Sequence, residues 1–535
     1  MWSWPTLRKR CQHQDDLLPC FARPPTTLPT YTSLHNMIKL QSQSWTEDIF
    51  STDSKSRLSW PGVGHLTSTV EIAKILLSRD HRLSITFLII HPPNNGPSVS
   101  SITSSMIYDR LHYLDVPKEE SDSIVSINGF MESKKPAVRK IVSELTESQS
   151  VSGPRLAGFV IDMFCTAMID VATELGVPSY AYYTSGASFL ALLLHVQKLC
   201  DYEGLDVADF KDSDEELSLP GFSNKIPARL LPSAAFDKER GFSKAFNRMA
   251  RELRRTEGIL VNSFIELESH AVQSMGLDPS VPPIYSVGPV VNTNSRTDFI
   301  KLDQETEITE WLDCHPPASV VFLCFGSMGA FGSDQVKEIA RGLETSGLRF
   351  LWSLRRPPSS QTLFAPTEDY EDFSKVLPEG FLERTAGVGQ VIGWAPQTAV
   401  LGHPSVGGFV SHCGWNSILE SLWFGVPLAT WPLYAEQQFN AFEAVKETGI
   451  GVEISLDYRI EMGKPGSDKA VLVRAEQIAR GIRQVMEKES EVRKKVKLMM
   501  EKCREAVVQG GSSYNYLQQF MKDLRKNIGM PLETS

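Results

Sequence analysis

The 535-residue chain lacks the features that mark several common classes of protein. Its eight cysteines, at positions 11, 20, 165, 200, 314, 324, 413 and 503, contain no CxxC pair. That spacing argues against a disulfide framework or a zinc site and fits reduced thiols in a cytoplasmic protein. Positive charge is not in excess: 54 Lys and Arg stand against 64 Asp and Glu, a formal net charge of -10, with a pI near 5.7. Nucleic acid and anionic membrane surfaces are therefore poor main partners. No apolar run approaches the ~18 residues that span a bilayer, and the longest, SFLALLLHV at 188–196, fits a core helix. Basic residues near the N-terminus have no apolar region behind them, so a signal peptide is not expected. No group of carboxylates has metal-ligand spacing, so no metal is expected, and no cofactor is expected either.

What is present is an alternation of short β-prone runs and longer helical patterns, in a chain too long for one ordinary core. LSITFLII (83–90) and LAGFVID (156–162) read as buried parallel strands. STVEIAKILLSR (68–79) reads as a helix, with Ser68 and Glu71 spaced as a capping box. A second cycle begins after SVGPVVNTNSRTD (286–298), taken as a linker, with the strand SVVFLCFGS (319–327). The helix after it has Ser333 placed as N-cap and Gly347 at its C-terminal end. The expected fold is α/β: two Rossmann-like domains facing across a cleft, with ligands at the carboxyl ends of the strands.

The segment SVGGFVSHCGWNSILESLWFGVP (405–427) puts a histidine, an indole, an amide, a hydroxyl and a carboxylate into one strand-turn-helix. Asn416 and Ser417 are placed as N-cap and first helical residue, and Gly425 and Pro427 end the helix. The turn would aim free N–H groups, the positive end of the helix dipole and the Ser417 hydroxyl at one spot, a site for phosphate. His412 could donate to the same anion. Glu420 would repel phosphate but suits a ribose diol, so the pair of sites points to a nucleotide. A capped core helix with Trp415 and Trp423 in the interior explains this segment alone equally well. Its neighbours shift the balance. Trp394 offers a π-face to a base and Ala395 a backbone edge, while Glu436 and Gln437 could bracket sugar hydroxyls.

The 44 residues from Trp394 to Gln437 resemble the signature box of plant UDP-dependent glycosyltransferases of secondary metabolism. The resemblance implies that Trp394 stacks on uracil and Ala395 pairs with it. It implies that Gln397 and Glu420 hold ribose, and that His412, Asn416 and Ser417 hold the diphosphate with Trp415 beside the sugar. Glu436 and Gln437 would bind the sugar. Glutamine at the end of the box implies UDP-glucose as donor, although Glu436 stands where aspartate is commoner. WLDCHPPASVVFLCFGSMGAF (311–331) also resembles the family, with Ser327 approaching the diphosphate. VVQGGSSYNYLQQFMKDL (507–524) is similar to its terminal helix, which returns to the N-terminal domain. The implied boundaries are an extension at 1–51, an acceptor domain at 52–290, a donor domain at 291–510 and a crossing helix at 511–535. The implied enzyme is an inverting, monomeric GT-B glucosyltransferase acting on a flavonoid, other phenolic or terpenoid hydroxyl.

Such a transfer needs a base. PGVGHLTSTVEIAK places His65 in a glycine loop, and Asp162 ends a strand of the same expected sheet. His65 as base with Asp162 as its orienter follows triad logic. Read locally, His65 is a loop histidine and Asp162 a helix cap; the resemblance favours the dyad. The chain departs from the family just ahead of this loop. Residues 52–60 carry only Leu58 and Trp60 as apolar side chains, a poor central strand. Residues 1–51 are accordingly expected to be foreign to the fold and poorly ordered. The alternative function is then a catalytically impaired nucleotide-sugar binder with an intact donor domain. A nicotinamide oxidoreductase is disfavoured, because PGVGHLT lacks the third glycine of GxGxxG.

Overall fold

The computed structural model describes residues 33–40, 63–90, 110–117, 127–147, 155–211, 213–238, 241–293, 302–358, 367–460 and 471–529. The N-terminal sheet contains β1 (Ser33–Leu40), β2 (Leu83–Ile90), β3 (Leu111–Val116), β4 (Arg155–Asp162), β5 (Ser179–Tyr183), β6 (Gly258–Val261) and β7 (Ile284–Ser286). Its strand order is β3-β2-β1-β4-β5-β6-β7. The C-terminal sheet contains β8 (Val320–Cys324), β9 (Arg349–Ser353), β10 (Gly389–Ile392), β11 (Val406–Ser411), β12 (Leu428–Thr430) and β13 (Gly451–Glu453). Its order is β10-β9-β8-β11-β12-β13, with every pair parallel. Strands β2, β5, β6, β8 and β11 are buried along their whole length, which is why they read as continuous apolar runs. The two sheets and their flanking helices are the expected pair of Rossmann-like units.

The N-terminal sheet departs from expectation at its centre. Its middle slot is taken by β1, which runs antiparallel to both β2 and β4. These residues fall inside the segment 1–51 that the sequence reading set apart from the fold, while the expected strand position at 52–60 lies outside the described residues. Pairing of β1 from Ser33 opposite Ile90 to Leu40 opposite Leu83 supplies partners to two interior strand edges. Without a strand there, the facing backbone groups of β2 and β4 would be buried unpaired.

Three local expectations are corrected. Helix α1 spans Val63–Arg79, so it starts in the glycine loop itself and Ser68 lies inside it rather than capping it. The Ser68 hydroxyl instead meets the Tyr182 hydroxyl at 2.6 Å, and Glu71 pairs with Lys74 Nζ at 2.8 Å. The helix after β8 is capped by Gly332, with Ser333 its first residue, and ends as expected at Gly347 in the left-handed region (φ 69°).

Helix α2 (Ala187–Lys198) is almost wholly buried between the domains. At the far end of the chain, helix α4 (Ser512–Asn527) lies on the N-terminal domain. Its Leu517, Phe520, Met521 and Leu524 join a core with Leu66, Val70, Tyr180 and Tyr285. Polar clasps seal its edges: Tyr285 donates to Asp523 at 2.8 Å, and Arg525 pairs with buried Asp80 at 2.7 Å. Burial opposes ionisation of Asp80, but Arg82 and Arg525 together hold its carboxyl well below the usual range.

Candidate active site

A cleft of about 1220 Å³ runs between the two sheets, and all thirteen residues singled out above line it. The fold brings them together because most sit just beyond the carboxyl end of a strand or on the first turn of a helix, with Glu420 one turn further along α3 than Trp415–Ile418. Asp162 ends β4, and His65 is on the first turn of α1. Ser327 follows β8, Trp394 to Gln397 follow β10, His412 follows β11, and Glu436 and Gln437 follow β12.

On the donor side, helix α3 (Trp415–Phe424) begins two residues earlier than expected, with Gly414 as N-cap. Asn416 and Ser417 therefore lie in its first turn, where backbone N–H groups have no intrahelical acceptor. Gly425 ends the helix in the left-handed region (φ 72°), as expected. His412 is buried, and desolvation pulls its imidazole down to about 4, so the ring is neutral at pH 7. Its Nδ1 is buried without a partner. A lone pair is cheaper to leave unmatched than an N–H, which puts the ring's one proton on Nε2. That Nε2 lies so close to Gly326 and Gly414 that a Cβ on either would stand 2.6 Å from it.

Gln397 Nε2 donates to Ser417 Oγ at 2.8 Å and to Glu420 Oε2 at 2.6 Å. Burial pushes the Glu420 carboxyl up to about 7, against the pull of the Gln397 hydrogen bond. Gln397, Ser417 and Glu420 thus form one polar shelf fit for hydroxyl groups. Ser327 holds the Thr367 hydroxyl on its backbone carbonyl at 2.9 Å. Trp394 carries the Arg355 guanidinium over one face, 5.2 Å from the ring centroid. Arg355 is itself buried and braced by Thr367 and Asp369. Gln437 Oε1 accepts from the backbone N–H groups of Leu433 and Tyr434, at 2.9 and 3.1 Å. The Trp415 indole N–H donates across the domain boundary to the Asn262 carbonyl at 2.7 Å, and its ring packs against Gly186.

On the other side, His65 Nδ1 is 2.7 Å from Thr184 Oγ1 and 3.4 Å from Asp162 Oδ2. The carboxylate can only accept, and the Thr184 hydroxyl lies within 3.6 Å of the Met163 sulfur as an outlet for its own proton. Both partners are satisfied when Nδ1 carries the ring proton and Nε2 keeps its lone pair. Burial lowers the affinity of His65 for a second proton, but the hydrogen bond and charge of Asp162, aided by Glu436, outweigh it and raise the pKa. Asp162 also caps the Phe164 N–H at 2.9 Å, so one carboxylate both holds this turn and reaches the His65 ring. Glu436 carries a raised pKa from burial, partly offset by His65. Thr184, Arg355 and Asn262 were missed in the sequence. Thr184 and Asn262 directly follow buried strands, a position that can flag a site residue, but nothing local says which partner each meets.

Two Rossmann-like domains, with the start of α3 facing His65 across the cleft, are the architecture of a sugar-nucleotide-dependent transferase of GT-B type. The family model "UDP-glucoronosyl and UDP-glucosyl transferase" matches residues 296–472. UDP-glucose flavonoid 3-O-glucosyltransferase 6 of Fragaria ananassa is 51% identical over 477 residues, covering 87% of this chain and 97% of that protein. A crystal structure of a UGT transferase from Siraitia grosvenorii in complex with UDP is 44% identical, with a TM-score of 0.75, covering 87% of this chain and 98% of that one. UGT71G1 of Medicago truncatula, complexed with UDP-glucose, is 40% identical with a TM-score of 0.75, covering 87% and 96%. The chain belongs to the plant UDP-glycosyltransferase family and is a hexosyltransferase. Among the described residues, no helix is long and apolar enough to cross a membrane, and no three His, Cys, Asp or Glu are grouped to hold a metal ion.

Proposed function

We propose that this enzyme transfers glucose from UDP-glucose to a hydroxyl of a flavonoid-type phenolic acceptor, with inversion at the anomeric carbon. The observation that carries the reading is His65, its Nδ1 anchored and its Nε2 lone pair left for the cleft that also holds the first turn of α3. In the reaction His65 Nε2 takes the proton of the acceptor hydroxyl as that oxygen attacks C1 from the face opposite UDP. The C1–O bond to the diphosphate breaks with its electron pair going to UDP. Charge on the departing phosphate falls on the first-turn N–H groups, Ser417, Asn416, Ser327 and the His412 Nε2–H. Asp162 stabilises the imidazolium formed. Trp394 and Ala395 receive uracil, Gln397 and Glu420 the ribose, and Glu436 and Gln437 the sugar, with Trp415 tying this loop to the acceptor domain.

The acceptor end is walled by Phe164, Phe189, Phe236 and Phe246, flat apolar surfaces suited to an aromatic aglycone. The names of the relatives, which specify flavonoid 3-O-glucosyl transfer and UDP-glucose, support the same donor and acceptor class. Both walls of the cleft come from one chain, so a monomer suffices. None of the six cysteines among the described residues is in a disulfide, which suits a reducing cytoplasm. The test is UDP release from UDP-glucose with a panel of flavonols, simple phenols and triterpenes, run beside His65→Ala. Acceptor-dependent release that vanishes in the variant is expected. Binding of UDP without release for any acceptor would favour the impaired binder instead, a reading that draws on the antiparallel β1 beside the His65 helix.

A further inference from the structure

Asn262 takes no part in the chemistry above, yet it touches both halves of the cleft. It lies just beyond β6, is fully buried, and has its hydrogen-bonding groups engaged. Its backbone N–H donates to the Tyr183 carbonyl at 3.0 Å, and its carbonyl accepts from Trp415 Nε1 at 2.7 Å. Its Oδ1 accepts the Val290 N–H at 2.8 Å. Its Nδ2 donates to Ser68 Oγ at 3.2 Å and to Asn416 Oδ1 at 3.4 Å. Because the Val290 N–H can only donate, it dictates which end of the amide is oxygen, and Nδ2 must face Ser68 and Asn416.

This orientation has consequences on both sides of the cleft. Asn416, receiving a donor on its Oδ1, turns its own Nδ2 away from Asn262. The N–H end is the only part of that amide that a diphosphate, a pure acceptor, can use. Ser68 lies on α1 three residues beyond His65, so a hold on Ser68 is a hold on the base. Gly288 closes the remaining side, where a Cβ would meet Asn262 Oδ1 at 2.6 Å and leaves the amide no room to swing.

We propose that Asn262 is a positioning residue that turns the Asn416 amide donor toward the UDP diphosphate and sets the His65 helix against that site, so that donor binding and base placement depend on one buried side chain. The proposal rests on the glucosyl-transfer reading, but UDP affinity tests it without any transfer. Asn262→Asp keeps the acceptor for Val290 and the side-chain shape while replacing the donor with an acceptor. Asn416 then gives its N–H to residue 262 and turns its oxygen to the diphosphate. UDP affinity by calorimetry is expected to weaken about tenfold, with a similar rise in KM for UDP-glucose and a fall in kcat on the flavonol quercetin. In an Asn416→Ala background the same change should alter UDP affinity less than about twofold, because no amide is left to misorient. Ser68→Ala, which severs the arm to α1 together with the Tyr182 contact, should lower kcat about fivefold at unchanged UDP affinity, whereas Tyr182→Phe, which leaves the Asn262 arm in place, should not; this pair remains informative if Asn262→Asp does not fold. Unchanged UDP affinity in Asn262→Asp, a full further tenfold loss in the Asn416→Ala background, or unchanged kcat in Ser68→Ala would each overturn the proposal. A wild-type chain that binds UDP but transfers nothing would refute the functional reading alone, and the UDP affinities would still decide this one.

Discussion

Asp162→Asn removes a single charge from beside His65, the proposed base, and preserves nearly everything else. The new amide oxygen can still accept the Phe164 N–H that Asp162 now holds at 2.9 Å, so the local turn should survive. What is lost is the attraction between a carboxylate and the imidazolium that forms as His65 takes the acceptor proton. At the observed 3.4 Å that attraction is worth about 1 kcal/mol in water and about 5 kcal/mol at an effective dielectric constant near 20. The His65 side chain is 33% exposed, so solvent screening places the effect in the lower half of that span. A loss of about 2–3 kcal/mol corresponds to a fall in kcat of roughly 10²-fold. The pH profile gives a second readout with a fixed sign. His65 must be neutral to act, and Asp162 contributes to its raised pKa, so wild-type activity should fall as pH drops through a value above the ordinary ~6.5 of histidine. In Asp162→Asn, burial dominates and the acid limb should move to lower pH. Thr184→Val is the comparison, since it removes the nearer contact, at 2.7 Å, but no charge. It should cost about fivefold in kcat and leave the acid limb in place. Steady-state kinetics from pH 5 to 9 would decide the matter. A kcat within threefold of wild type together with an unmoved acid limb in Asp162→Asn would refute the assignment of Asp162.

Three further outcomes follow from other parts of the structure. Glu443, on the donor domain, is buried beside Glu268 of the acceptor domain and accepts the Ser188 hydroxyl at 3.0 Å, and burial followed by the charge of Glu268 raises its pKa well above the usual range. Because the folded state favours its neutral form, ionisation should cost stability as pH rises past the unfolded value near ~4.3; Glu443→Gln should raise Tm by about 3 °C at pH 9 and not at pH 4, read by differential scanning fluorimetry. Gly326→Ala would put a methyl 2.6 Å from His412 Nε2 at a backbone φ of +75°, so UDP affinity should weaken at least about tenfold by calorimetry; unchanged affinity would count against His412 as a phosphate donor. Phe520→Ala removes a fully buried ring packed edge-on to both Tyr180 and Tyr285; it should cost about 3–5 kcal/mol and free α4 to proteolysis, and equal protease resistance would show that the helix is not held by this core.

The sequence by itself determined the donor half of this protein. Between Trp394 and Gln437 most of the proposed site residues sit beyond a strand end or at a helix start that their own neighbours dictate, and the buried strands show as largely apolar runs. Local geometry of that kind is legible because the groups that make a site are a few residues apart. Even there, the start of α3 was read late, since Gly414 rather than Asn416 takes the cap. The capping box at Ser68 failed for a different reason: the hydroxyl finds a better partner in Tyr182, 114 residues away. Only the tertiary structure decided which strand fills the centre of the N-terminal sheet, because an unpaired interior slot can be filled by any segment able to match its backbone register. It alone set Thr184 against His65, Arg355 on Trp394, Asn262 between the two halves of the cleft and Glu443 beside Glu268. In each of these a residue's chemistry is set by a group brought from a distant part of the chain, and the energy of burying a polar atom depends on that partner rather than on its neighbours in sequence.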